Sequence, residues 1–165
     1  MLDIISSLCA MPVLRNIFSV VLGTIVGSIV MMGAHMLSML VFPLPDGVTM
    51  ADMMGDDPAV QHQVISWAST LPASAWLLVS ACHALGCLVA SLITVSISGS
   101  IAATLFVGSW FTFAGWLNLS SLPHPEWFPF IDLPLYIITS SIVALKCTSR
   151  SKSKSACACN KIKAR

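Results

Sequence analysis

Four polar side chains stand in or at the edge of long apolar stretches of this sequence: His35, His83, Asn118 and Asp132. A polar or ionisable group in hydrocarbon is costly, so each is a functional candidate on physical grounds. Three chemistries fit them. The first is hydrogen-bonded packing, histidine to asparagine, hydroxyl or backbone carbonyl, which fixes helix register where hydrophobicity cannot. The second is a proton or small-solute path, since imidazole titrates near neutral pH and Asp132 could hand on a proton. The third is a metal site, with His35, His83 and either Asp132 or His124 as ligands. Spacing does not choose among them, because the groups lie on different segments.

Other chemistries lack their residues. There is no His-Glu-x-x-His pair, phosphate loop or nucleophile–base motif, so neither an enzyme nor a cofactor is expected. The acidic group Asp52, Asp56 and Asp57 fits no EF-hand spacing and is read as a solvated loop. The six cysteines form no visible disulfide framework, and Cys157-Ala-Cys159 is too sparse for zinc. Cys147, Cys157 and Cys159 could be acylated in a eukaryotic host. Asn118-Leu-Ser120 matches a glycosylation pattern, but at a membrane edge where no glycan is expected.

The elements that position these side chains follow from hydropathy. From Asn16 to Pro45, thirty consecutive residues carry no Asp, Glu, Lys or Arg. About twenty residues of helix, at ~1.5 Å each, cross a hydrocarbon core of ~30 Å. The whole chain of 165 residues is 56% apolar and only 9% charged, whereas soluble domains run near a quarter charged. The expectation is an all-α, four-helix transmembrane bundle. Its membrane domain covers 14–147, with spans at about 14–42, 73–97, 101–119 and 128–147. A leader, 1–13, precedes it, and a basic tail, 148–165, follows. The apolar run after Arg15 is about twice a signal core in length, so a removable signal peptide is not expected.

Each span has a small or polar face and a bulky one, as helices that pack in lipid do. In span one Gly23, Thr24, Gly27, Ser28, His35 and Ser38 share a side. In span two it is Trp76, Ser80, His83, Cys87, Ser91 and Thr94, and in span three Thr104, Gly108, Phe111, Thr112, Gly115 and Asn118. His35, His83 and Asn118 therefore look inward, and the direction of Asp132 is open. Gly23, Gly27, Gly86, Gly108 and Gly115 are the expected close-packing positions, with Gly23-x-x-x-Gly27 read as packing within the bundle rather than self-association. Between spans one and two, 58–71 reads as a surface helix with Val60, Val64, Trp67 and Leu71 on one side. Span four starts near Phe128 or Leu133. In the later start Asp132 is its N-cap and Pro134 lies in its first turn.

Charge sets the expected orientation. All eight basic residues lie at the two ends of the sequence: Arg15, then seven from Lys146 onward. The positive-inside bias puts both termini in the cytoplasm (N-in/C-in), with the acidic and Pro-His-Pro loops outside. Lys146, Arg150, Lys152 and Lys154 would meet lipid headgroups, or simply set topology. The partners expected are the lipid bilayer and, within it, a second copy or another membrane protein. Nucleic acid is not expected.

Three stretches, Phe42-Pro-Leu-Pro-Asp-Gly47, His83-Ala-Leu-Gly86 and Pro123-His124-Pro125-x-Trp127-Phe128, resemble a group of small uncharacterised bacterial membrane proteins with four spans. The resemblance covers about Val13–Leu145 and implies a multi-pass membrane protein with no assigned activity. Those proteins tend to begin near the position of Met11 and usually carry basic residues between spans two and three. This chain has Ser98-Gly99-Ser100 there. The function expected is a structural or accessory membrane role. The alternatives are a small transporter or channel-like component using a His35/His83 face, and an intramembrane metal-binding protein.

Overall fold

The computed structural model describes residues 12–49, 52, 55, 57–119 and 124–163, with side chains to residue 147. The described residues are all-helical. The five helices are α1 (Pro12–Ser38), α2 (Pro58–Thr70), α3 (Ala73–Ser98), α4 (Ile101–Leu119) and α5 (Phe128–Lys163). α1, α3, α4 and Phe128–Cys147 of α5 are long and apolar enough to cross a membrane. The protein is a four-helix transmembrane bundle.

Local sequence explains most of the boundaries. α1 opens on Pro12, where a missing N–H costs nothing. It stops at Ser38 rather than running on to Phe42 as expected. The Ser38 hydroxyl donates to the His35 carbonyl (2.7 Å), and Phe42 N–H turns back to the Ser38 carbonyl (3.0 Å). Pro43 and Pro45 then bar the helix from resuming. At the other boundary, α1 begins inside the expected leader, whose residues 1–11 lie outside the described ones.

α2 is capped by Asp57, whose side chain accepts from Ala59 N–H at 2.9 Å. It buries Val64 and Ala68 and leaves Gln61 and His62 exposed, as its pattern implies. α3 and α4 form a hairpin. Gly99 turns the chain at φ +65, and Ser100 caps α4 by accepting from Ala103 N–H (3.2 Å). α5 starts at the earlier of the two expected positions. Asp132 therefore sits in its second turn and is no N-cap, and Pro134 lies inside the helix. α5 also continues past Cys147 to Lys163, through most of the stretch read as a basic tail. The side chains of Arg150, Lys152 and Lys154 lie outside the described residues, and Lys146 is exposed.

α3 is the central helix. Among the described residues it packs against α1, α4 and α5; α4 also packs against α5 and α1, while α1 and α5 do not meet. Glycine sets the separation of α1 from α3. A Cβ on Gly27 would lie 2.6 Å from the Gly86 carbonyl oxygen, and one on Gly86 2.8 Å from the Gly27 oxygen. The two backbones thus touch, which is the expected packing within the bundle. Thr94 ties them by donating to the Ser19 carbonyl (3.1 Å), and Arg15 donates to the Ser98 carbonyl at the end of α3 (3.1 Å). Gly108 and Gly115 do the same for α4 against α5, making room for Ser140 and Tyr136.

Outside this small-residue interior the surface is apolar. Ile25, Ile29, Leu77, Phe106, Phe113 and Ile138 are all exposed. Water would not tolerate so continuous an apolar shell, and hydrocarbon matches it.

Candidate functional site

The four spanning helices meet at one polar cluster, in the half of the bundle where α1 ends and α5 begins. Asp132 is its centre and is 1% exposed. Helical spacing in α5 brings Tyr136 one turn below it, and the phenol donates to Asp132 Oδ2 at 3.3 Å. From α3, His83 Nδ1 lies 2.8 Å from Asp132 Oδ1 and 3.0 Å from Oδ2. A carboxylate only accepts, so the proton stands on Nδ1 and the His83 ring is held by both oxygens.

The rings form a continuous stack. His35 meets His83 edge-on with centroids 4.9 Å apart. His83 stacks on Tyr136 at 5.7 Å, and Tyr136 on Phe111 at 6.1 Å. The stack takes one ring from each spanning helix: α1, α3, α5 and α4 in turn. Gly115 makes it possible, because a Cβ there would lie 3.0 Å from the Tyr136 ring. Below it the Cys87 thiol donates to the Tyr136 carbonyl (3.4 Å) and is fully buried.

Charge balance follows from composition. Asp132 is the only Asp or Glu inside a span, and Arg15 is the only Lys or Arg before Lys146. Arg15 is spent at the far end of α3. His83 is therefore the group that can neutralise Asp132, by holding a proton against it. Exposure falls inward along the cluster: His35 is half-buried, His83 is 15% exposed and Asp132 nearly closed off. Among the described residues neither ring nitrogen of His35 has a hydrogen-bond partner, nor does His83 Nε2. Ser80, on the same side of α3 as His83, keeps a buried hydroxyl without a partner among the described residues.

No protein-family model, curated protein or solved structure matches the chain. Its function must be read from these contacts.

Three of the four expected polar residues meet: His35, His83 and Asp132. Asn118 does not join them. It is exposed at the last turn of α4. His124 is also elsewhere, in the loop before α5, with its ring 6.0 Å from Phe128 and Nδ1 3.2 Å from the Pro125 carbonyl. Among the described residues no three His, Cys, Asp or Glu side chains are arranged to hold a metal ion together. Tyr136 is the member that sequence reasoning missed. The signal was present, since the only tyrosine in the chain stands four residues after the only acid of the spans.

Proposed function

We propose that this is a structural or accessory multi-pass membrane protein without catalysis, in which the His83–Asp132 pair locks the packing of the spanning helices. The observation that carries the reading is the ring stack that draws on all four of them. In lipid, hydrophobicity does not choose between helix registers, whereas a charge-assisted hydrogen bond between two helices does. The test compares His83→Gln and Asp132→Asn with wild type for cross-linking between α3 and α5 and for the phenotype of a deletion strain. A structural role predicts weakened α3–α5 cross-links, with function falling only as far as folded protein is lost. Loss of function at full folding would overturn it.

A second reading, a small transporter or channel-like component, draws on the fall in exposure from His35 to Asp132. It predicts that His35→Gln abolishes proton or solute flux in vesicles while the fold persists.

The proposed orientation is N-in/C-in, in a bacterial inner membrane or a plasma membrane. Arg15 supports it: the hairpin turn at Ser98–Ser100 carries no basic residue of its own, and Arg15 brings one to it. The resemblance to small bacterial four-span proteins points the same way. A second copy or another membrane protein is the partner proposed beyond lipid.

A further inference from the structure

We propose that His35 and His83 form a binding site for a soft monovalent cation, Cu(I) or its analogue Ag(I). Four observations lead there. First, His83 is arranged as metal-binding histidines are: Nδ1 donates to a carboxylate that is itself held by a phenol, which leaves Nε2 as a fixed acceptor. Second, two imidazole nitrogens each ~2 Å from one ion put their ring centroids roughly 5–6 Å apart. The His35 and His83 centroids stand 4.9 Å apart, and the nitrogens of His35 have no other partner among the described residues.

Third, the ligand set selects the ion. Divalent zinc takes four ligands in structural sites and three in catalytic ones, and among the described residues no three His, Cys, Asp or Glu side chains are arranged to hold one ion together, Asp132 being engaged with His83 Nδ1. Soft thioether and imidazole ligands select Cu(I). Met31 supplies the thioether. It lies one turn from His35 on α1 and packs against Gly86, one turn from His83 on α3. Gly86 has no side chain to keep Met31 out of that position. Fourth, charge selects it too. Asp132 is the one carboxylate of the spans, so a monovalent ion bound to neutral ligands leaves the site neutral, whereas a divalent ion leaves an uncompensated charge in hydrocarbon. No electron is transferred: the ion enters and leaves as Cu(I), displacing the Nε2 proton of His83 to solvent and taking its place as the counter-charge of Asp132, while Nδ1–H stays on the carboxylate.

The experiment uses the full chain in lipid nanodiscs, with Cys9, Cys147, Cys157 and Cys159 changed to serine because terminal thiols would also capture Cu(I). Cu(I) is titrated anaerobically against a chromogenic Cu(I) chelator. The expected result is about one ion per chain, with zinc unable to displace it. Asp132→Asn should weaken binding ~10–100-fold, as loss of a supporting carboxylate does. X-ray absorption should show nitrogen and sulfur neighbours, with the sulfur lost in Met31→Leu. His35→Gln is the decisive variant, since the His35 ring makes no hydrogen bond among the described residues and the change keeps the backbone carbonyl that Ser38 uses. Helical content equal to wild type with Cu(I) binding lost supports the site. Wild-type affinity in His35→Gln, or no ion retained by the parent, overturns it.

Discussion

Asp132 illustrates how much a single residue's surroundings decide. A carboxylate 1% exposed and far from any Lys or Arg survives in hydrocarbon because His83 and Tyr136 take up its oxygens. Removing His83 alone leaves that charge uncompensated. We expect His83→Leu to destabilise the bundle by about 3–5 kcal/mol, and the double change His83→Leu with Asp132→Leu to cost much less, measured by denaturant titration in detergent. Ser80→Ala should go the other way. Its buried hydroxyl has no partner among the described residues, so removing it is expected to stabilise by about 1 kcal/mol in the same assay. Outside the membrane, Asp52 accepts from the hydroxyl (2.6 Å) and the N–H (2.8 Å) of Thr49, and these bonds hold its carboxyl below the usual range. A carboxyl lowered by folding adds order above its unfolded pKa and loses it as pH falls through the lowered value. Acidification should therefore speed amide exchange at Thr49 while exchange in the spanning helices stays unchanged.

At the scale of elements, the α1–α3 contact rests on backbone approach rather than on interlocking side chains. Gly27 and Gly86 each face the other's carbonyl, and a backbone oxygen cannot move aside as a side chain can. Gly27→Ala should thus separate the helices and cost about 1–3 kcal/mol. Gly33, in the same helix, has nothing within 4 Å of a built Cβ. Gly33→Ala should be neutral or stabilise by about 0.5–1 kcal/mol through helix propensity alone. Equal behaviour of the two variants in thermal unfolding would show that close approach does not hold α1 in place.

For the whole molecule, the even number of spanning helices puts the ends of α1 and α5 that leave the membrane on one face. Reporter fusions at the two termini should then report the same compartment, and the cytoplasm if basic charge governs insertion. Arg15 lies beside the α3 carbonyl end as well as near the start of the first span, so the proposed orientation and the packing of α1 can be tested at one residue. Arg15→Glu is expected to produce a mixed orientation and a looser α1, read as protease access to the loop between α1 and α2 from both sides.

Hydropathy and charge alone determined the membrane class, the four spans and the limits of α3 and α4, because an uncharged run of that length has one low-energy solution in lipid. The glycines that set helix spacing and the capped surface helix were also legible, since their spacing and residue types act locally. The end of α1 was missed because a serine hydroxyl bonding back to His35 and the prolines beyond it ended the helix before its hydropathy did. Only the tertiary structure decided the rest. It joined His35, His83 and Asp132 and added Tyr136, while Asn118 stayed outside. The physical reason is that a helix's periodicity says which side chains share its face, and says nothing of how that face is turned or how deep it sits against a neighbour. That choice belongs to the glycine contacts and to the hydrogen bonds between α3 and α5, His83 to Asp132 and Cys87 to the Tyr136 carbonyl.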